Sequence, residues 1–321
     1  MSERPNILVT GGAGFIGSHL VERLLRDGNS VTVIDDLSTG RRENLRVVAG
    51  DANLRFIEAK VSAYPALAEE AARAQAIYHL AAAVGVELVV VSPIRTIQTN
   101  LHETEAILRA AAEKGTPVLL ASTSEVYGKS QKPVFSEEDD LLIGPPHLGR
   151  WSYACSKLMD EFMAMAYAQE RGLPVTVARL FNTVGPRQTG QYGMVLPRFI
   201  AAAKTGRPIR VFGDGRQMRC FCYVGDTVEA LVRLQRSSAA RGQVFNVGTT
   251  EEISIAGLAE LVKRRVGSDS PIEFVPYADA YAPGFEDVRR RKPQLGKLAS
   301  VVGFRPQTEL ARIVDLTAAS I

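Results

Sequence analysis

The most constraining feature of this sequence is a glycine-rich loop between a predicted strand and a predicted helix. The apolar run Asn6–Thr10 is typical of a buried strand, and glycines follow it at three-residue spacing before a helical pattern begins. Glycines allow a tight turn and a close approach to a pyrophosphate, and the amino end of the following helix attracts the anion. The loop therefore predicts a dinucleotide site. Its residues assigned to the cofactor are Gly11, Gly14, Phe15, Ile16 and Gly17.

A carboxylate after the second predicted strand indicates which dinucleotide binds. Val31–Ile34 places Asp35 where an acidic side chain holds the ribose hydroxyls of adenosine and repels the 2′-phosphate of NADP. Arg41 and Arg42 would neutralise such a phosphate, although a solvated loop is the simpler interpretation for both. The sequence therefore predicts NAD as the cofactor. Further cofactor contacts are predicted at Asp36, Val61, Leu80, Ala81 and Ala82.

Apolar segments alternate with helical patterns through the first half of the chain. Predicted strands over 55–59 and 76–80 flank a predicted helix over 66–74. This alternation favours an α/β fold with a Rossmann-type, doubly wound parallel sheet. Further along, glycine, proline and arginine become frequent and the alternation loosens. We therefore expect an NAD-binding domain over 1–183 and a smaller α/β substrate-binding lobe mainly over 184–321, with parts returning to the first domain.

A tyrosine and a lysine four residues apart are candidates for catalysis. Tyr153 and Lys157 fall in a predicted helix over Ser152–Arg171, so their side chains lie on one face. A free tyrosine titrates near pH ~10, and a neighbouring cation lowers that pKa. We expect Lys157, with a nearby nicotinamide, to make Tyr153 a usable base toward a sugar hydroxyl. Taken alone, this spacing also arises by chance in helices.

Three polar residues follow the predicted strand Pro117–Ala121, at the edge where open α/β sheets bind ligands. Thr123 or Ser124 would hydrogen-bond the hydroxyl that Tyr153 deprotonates, and Glu125 would serve as an acid or base on an adjacent carbon. The alternative for the two hydroxyls is a capping role at the start of the next segment.

Composition narrows the classes of function. The 321 residues carry a formal net charge of +3, which gives no nucleic-acid signature. The cysteine spacings match neither a disulfide framework nor a metal site, so we expect a reducing cytoplasm and no metal. The longest apolar run, 84–91, is too short to span a bilayer, so no membrane partner is expected. His79 is interpreted as a packed histidine and Cys155 as a buried structural thiol, with a role as an acid as the alternative for Cys155.

Taken together, these motifs resemble the extended short-chain dehydrogenase/reductase family, in its nucleotide-sugar epimerase, dehydratase and decarboxylase branch. The similarity runs nearly end to end. The matching segments are Thr10–Ser18, Asp35, His79–Ala82, Ser122–Gly128, Tyr153–Lys157, Phe181–Pro186 and Gly213–Phe221.

The resemblance implies roles for these residues. Tyr153 is implied to start oxidation of a UDP-sugar at C4 with help from Thr123, and Lys157 to hold the nicotinamide ribose. Relatives often form homodimers through the helix that bears Tyr153. Lys60 stands where relatives commonly have an acidic residue near adenine. Guanidinium groups suit a diphosphate, and the expected substrate contacts are Asn182, Arg187, Val195, Val211, Phe212, Arg219 and Arg291.

The reaction that follows C4 oxidation is left open by the resemblance. Epimerases usually have serine in place of Glu125, 4,6-dehydratases have Thr-Asp-Glu, and uronate decarboxylases have Thr-Ser-Glu, as here. The favoured hypothesis is removal of water across C5 and C6 of UDP-N-acetylglucosamine, as in the dehydratase of tunicamycin (antibiotic) biosynthesis. The alternatives are a UDP-glucuronate-type decarboxylase, a UDP-sugar 4-epimerase and, more remotely, a non-catalytic NAD-sensing regulator.

Overall fold

The computed structural model describes residues 4–83, 92–190, 194–280 and 288–321, so the apolar run 84–91 lies outside the described residues. In chain order the strands are β1 (Asn6–Thr10), β2 (Ser30–Asp35), β3 (Leu54–Glu58), β4 (Ala76–His79), β5 (Val118–Thr123), β6 (Val175–Leu180), β7 (Thr183–Val184), β8 (Ile209–Phe212), β9 (Met218–Cys220), β10 (Cys222–Tyr223), β11 (Gln243–Val247), β12 (Glu252–Ser254), β13 (Ile272–Val275) and β14 (Arg290–Arg291). The helices are α1 (Phe15–Arg26), α2 (Leu67–Arg73), α3 (Pro93–Ala112), α4 (Trp151–Arg171), α5 (Val195–Lys204), α6 (Val224–Arg236), α7 (Ile255–Val266), α8 (Tyr277–Ala280), α9 (Gly296–Val302) and α10 (Leu310–Ala318).

Within the described ranges, one seven-stranded sheet has the order β11-β6-β5-β4-β1-β2-β3, and each of its pairings is parallel. Helices α1 and α6 cover one face, and α2, α3 and α4 cover the other. Side chains alternate along a strand, so Leu8 and Val9 of β1 enter the cores on opposite faces. The predicted Rossmann-type, doubly wound fold is confirmed. Its strand order reverses between β1 and β4, which opens the crevice where such sheets bind ligands.

A second lobe is built mainly from short strands and three helices. In its described residues, β12, β9 and β14 form one small sheet and β8 pairs with β13. Helices α5, α7 and α10 bury Phe199, Leu258 and Ile313 in a core of their own. Between α5 and α7 the chain returns to the large sheet. There, α6 packs on α1 and β11 extends the sheet beside β6. The boundary at residue 184 stays a prediction.

Two helices of the large sheet position the site. Helix α3 begins at Pro93, where proline suits the first helical turn. Helix α4 ends before Gly172, whose φ of 65° is a left-handed conformation that glycine adopts readily. These two helices pack along each other on the sheet. None of the helices in the described part of the chain combines the length and apolarity needed to cross a bilayer.

Candidate active site

The glycine loop between β1 and α1 packs tightly against the end of β4. Gly11 has a φ of 72°, and a Cβ placed on it would lie 2.7 Å from the backbone nitrogen of Ala81. A Cβ on Gly17 would lie 2.1 Å from the carbonyl oxygen of Gly11. Because Gly14 caps α1 without a side chain, the amino end of the helix stays open to the adjoining cleft. This cradle fits the pyrophosphate of a dinucleotide.

Asp35 stands beside this loop at the end of β2. Its carboxylate accepts hydrogen bonds from the backbone nitrogens of Ala13 (2.8 Å) and Leu37 (2.9 Å). Burial raises the pKa of Asp35, and the two backbone donors oppose that rise. The carboxylate is therefore oriented by the backbone, with one edge on the cleft.

One cleft of about 560 Å³ brings together the residues predicted to hold NAD. The residues that fit such a cofactor line it from the glycine loop, the ends of β2 and β4, and α4. The predicted cofactor residues on this cleft are Gly11, Gly14, Phe15, Ile16, Gly17, Asp35, Asp36, Val61, Leu80, Ala81, Ala82, Tyr153 and Lys157.

His79 is a structural residue, as the sequence indicated. It is 1% exposed at the end of β4, and its ring nitrogens contact the hydroxyls of Thr10 at 2.7 Å and Thr104 at 3.3 Å. Burial, followed by the charge of Lys157, lowers the pKa of His79 to about 3. The imidazole therefore stays neutral and joins β1, β4 and α3.

Tyr153 and Lys157 both line the cleft from one face of α4. Lys157 Nζ also donates a 2.7 Å hydrogen bond to Asp160 Oδ2, a carboxylate that the expected arrangement did not include. Burial raises the pKa of Tyr153, the charge of Glu125 raises it further, and a hydrogen bond with Thr123 lowers it. A carboxylate one turn along the helix thus binds the ammonium that was expected to activate the phenol.

Glu125 is held between arginines from two parts of the chain. Arg291 Nη1 donates to Glu125 Oε1 at 2.5 Å, and Arg150 Nη2 lies 3.7 Å from Oε2. Burial opposes ionisation, but the charges of Arg291, Arg150 and Arg219 outweigh it, so the pKa of Glu125 is lowered. The carboxylate is therefore ionised and is a weak base in this arrangement.

The hydroxyls that precede Glu125 fall into two roles. Thr123 Oγ1 accepts a 3.1 Å hydrogen bond from the backbone nitrogen of Glu125, which is the capping role considered as an alternative. Thr123 also contacts Tyr153 and lines the cleft. Ser124 is buried, with part of its surface on the same cleft.

Most of the predicted substrate residues line the same cleft, toward the second lobe. Arg187 already pairs with Glu22 there. Val211 is the exception, because it is fully buried in the core of the second lobe and is not among the described residues that line the cleft. Side chains alternate along β8, so its neighbours Arg210 and Phe212 face the cleft instead. The others on the cleft are Asn182, Val195, Arg219 and Arg291.

Two charged residues of the site were missed from the sequence, and one thiol was misplaced. Arg150 directly precedes α4. Its position shortly before Tyr153 in the sequence is the feature that could have identified it as a site residue. Asp160 lies three residues after Lys157, a spacing that places the two side chains together on a helix. Cys155 was expected to be buried but is exposed. Because α4 turns about 100° per residue, a position two residues from Tyr153 faces away from the cleft.

Comparisons with known proteins show the family to which this chain belongs. A sequence model described as the NAD dependent epimerase/dehydratase family matches residues 7–248. A UDP-N-acetyl-alpha-D-glucosaminuronate decarboxylase of Bacillus cytotoxicus is 41% identical over 300 residues, which cover 93% of this chain and 92% of that protein. A UDP-glucuronic acid decarboxylase 1 of Xenopus tropicalis is 39% identical, over 98% of this chain and 72% of its own. A solved UDP-N-acetylglucosamine 4-epimerase from Methanobrevibacter ruminantium, in complex with UDP-N-acetylmuramic acid, superposes with a TM-score of 0.89 at 29% identity, covering 99% and 98% of the two chains.

Proposed function

Because the chain belongs to the NAD dependent epimerase/dehydratase family, we propose that it is an NAD-dependent decarboxylase of a UDP-linked uronic acid. The observation that carries the proposal is the cluster of Arg150, Arg219 and Arg291 around Glu125. Arg291 and Arg150 flank the Glu125 carboxylate, so guanidinium groups that suit a carboxylate lie in this part of the cleft. A sugar with a carboxylate at C6 matches these guanidinium groups.

The guanidinium groups beside Glu125 separate the proposal from the 5,6-dehydratase favoured from the sequence. The substrate of a 5,6-dehydratase carries a neutral hydroxyl at C6, which offers these guanidinium groups no carboxylate to bind. Binding of a carboxylate by guanidinium groups is strong and directional. The names of the Bacillus and Xenopus relatives, both uronate decarboxylases, support the same choice.

Residues on the two sides of the cleft have separate roles in the reaction. Tyr153, hydrogen-bonded to Thr123, takes the proton from the C4 hydroxyl. Bound NAD supplies the hydride acceptor for C4 and a positive ring that favours the Tyr153 phenolate. On the other side, Arg291 and Arg150 orient the C6 carboxylate next to Glu125.

Loss of carbon dioxide follows from the chemistry of a 4-keto acid. The ketone at C4 lies β to the C6 carboxylate, so the electrons of the C5–C6 bond move into an enolate as carbon dioxide leaves. As the neutral gas leaves, the negative charge of the carboxylate moves away from Glu125 to the enolate oxygen at C4. A new proton would then be added to C5 in place of the carboxylate, and Tyr153 would return its proton to the C4 oxygen. Hydride return to C4 would regenerate NAD and give a UDP-pentose.

The proposal is tested by supplying purified enzyme and NAD with UDP-glucuronate, the 2-acetamido uronate analogue or UDP-N-acetylglucosamine. Carbon dioxide from either uronate supports it, and the preferred substrate identifies the group at C2. Water loss from UDP-N-acetylglucosamine, with no carbon dioxide from either uronate, would instead establish the 5,6-dehydratase. Inversion at C4 alone would establish an epimerase. The absence of turnover with every nucleotide sugar would favour an NAD-sensing regulator.

Two further predictions accompany this function. A homodimer through α4, the helix that bears Tyr153, is consistent with the exposed apolar side chains Phe162 and Met159, which are 63% and 51% exposed on that helix. Light scattering on the purified protein measures its mass, and a monomer would contradict the prediction. The cytoplasmic location expected from the cysteine content also stays a prediction.

A further inference from the structure

A buried polar network lies behind the cleft, centred on Arg179 of β6. Its guanidinium nitrogens Nε and Nη2 donate to the Glu161 carboxylate at distances of 2.8 to 3.1 Å. Both side chains are 5% exposed. Glu161 lies on α4, one turn beyond Lys157, so this ion pair attaches the helix that carries Tyr153 to the sheet.

Tyr127 connects the ion pair to the segment that carries Glu125. Its hydroxyl accepts a 3.0 Å hydrogen bond from Arg179 Nη1 and donates one of 2.8 Å to Asn246 Oδ1. Tyr127 is fully buried and belongs to the same short 3-10 helix, Ser124–Tyr127, as Glu125. The contacts of the Tyr127 hydroxyl therefore fix the end of the short helix that also carries Glu125.

Asn246 extends the network to the segment that carries Arg291. Its side-chain nitrogen donates to the carbonyl oxygen of Phe135 at 3.0 Å. The backbone nitrogen of Phe135 in turn donates to the carbonyl oxygen of Lys292 at 2.8 Å. Lys292 directly follows Arg291, so one chain of contacts joins the supports of Tyr153, Glu125 and Arg291.

The network members do not form the cleft wall themselves. Of the described residues that line the cleft, none is Glu161, Arg179, Tyr127 or Asn246. Buried polar groups of this kind are costly when they lose a partner, so their geometry is strongly fixed. These residues therefore act on the reaction through the side chains that line the cleft.

We propose that this network is a positioning device that holds Glu125 and Arg291 in register with Tyr153, so that carbon dioxide loss depends on it more than C4 oxidation does. The inference rests on the proposed decarboxylase function. Tyr153 keeps its own support from α4 and from the Glu161–Arg179 ion pair. Glu125 and Arg291 come from different lobes, and the Tyr127–Asn246 contact joins their supports.

The test is the substitution Tyr127→Phe in the NAD-bound enzyme. It removes one hydroxyl and leaves the Glu161–Arg179 pair in place. Single-turnover experiments with a UDP-uronate measure C4 oxidation by NADH absorbance and decarboxylation by release of labelled carbon dioxide. We expect the ratio of the second rate to the first to fall about tenfold, because small displacements of reacting groups are expensive. Tyr78→Phe, at a buried tyrosine in β4, is the matched control and should leave the ratio unchanged.

A second variant, Asn246→Ala, breaks the next contact and should lower the same ratio; it decides the matter if Tyr127→Phe does not fold. An unchanged ratio, whether or not both rates fall, would overturn the inference. A larger loss of C4 oxidation than of decarboxylation would also overturn it. Failure of the wild-type enzyme to release carbon dioxide would overturn the proposed function and this inference with it. The wild-type arm therefore separates the two failures.

Discussion

Glu125 accepts a 2.5 Å hydrogen bond from Arg291, a residue 166 positions away in the sequence. Glu125 follows β5 of the large sheet, and Arg291 ends the short strand β14 of the second lobe. The pair therefore joins the two walls of the cleft. Arg291 is 7% exposed at its side chain, so its charge is little screened by solvent.

Replacing Arg291 by glutamine should lower kcat/KM for a UDP-uronate by about 10- to 100-fold, since hydrogen bonds to charged groups contribute about 1.5–3 kcal/mol. Arg290→Gln is the matched control. Arg290 pairs with Glu252 at the surface, and exposed ion pairs contribute little, so kcat/KM should change less than about twofold. Steady-state kinetics on both variants make the comparison. An equal loss in both would contradict a role for Arg291 in binding the carboxylate.

Replacing Glu125 by glutamine should stop carbon dioxide release while C4 oxidation continues, because the negative charge of Glu125 beside the substrate carboxylate favours its loss as a neutral gas. The charge of Glu125 raises the pKa of Tyr153, so its removal lowers that pKa. Because the phenolate is the active form, C4 oxidation should reach its maximum at a lower pH than in the wild type. The measurement is NADH absorbance against pH in single turnovers. Full carbon dioxide release by the variant would remove Glu125 from the chemical step.

Replacing Gly17 by alanine should weaken NAD binding by about tenfold or more, because overpacking costs about 1–3 kcal/mol. The new Cβ would lie 2.1 Å from a backbone oxygen of the loop, which has to move. Gly50→Ala is the control, because a Cβ there meets nothing within 4 Å. Calorimetric titration with NAD, beside thermal melting, distinguishes lost affinity from lost folding. Wild-type affinity in Gly17→Ala would mean that the loop does not hold the cofactor.

Acid should destabilise the protein partly through His79. Its folded pKa of about 3 lies below the ordinary 6.5, so the unfolded chain takes up the proton first. The stabilisation is complete above pH 6.5 and is lost as the pH falls toward 3, at about 1.4 kcal/mol per pH unit. Denaturant unfolding at several pH values should show a shallower decline for His79→Gln than for the wild type. His147→Gln, at an exposed histidine, should follow the wild type.

Local patterns were enough to predict the cofactor half of the site. The loop from Gly11 to Gly17 and the acid Asp35 each lie within one βα unit, so their geometry follows from neighbours in sequence. The four-residue spacing of Tyr153 and Lys157 likewise fixes one helix face. These features predicted the doubly wound fold and NAD, because short-range backbone geometry alone positions them.

The substrate half could not be predicted in the same way. Side chains alternate between the two faces of β8, and the side chain of Val211 lies on the face that packs in the core. The register of that strand is set by its pairing with β13. Lys157 forms a hydrogen bond with Asp160, and this choice of partner depends on the rotamers that a buried interface permits. No spacing in the sequence indicates which of several arginines reaches Glu125.

The sequence by itself determined which chemistry is present: a glycine cradle, an acid for ribose, a phenol and a carboxylate after a strand. Only the tertiary structure decided which charges meet, because Arg291 reaches Glu125 after the chain has crossed into a second lobe and formed β14. Short-range geometry is encoded by neighbours along the chain. Charge pairing across lobes depends on packing that no local pattern records.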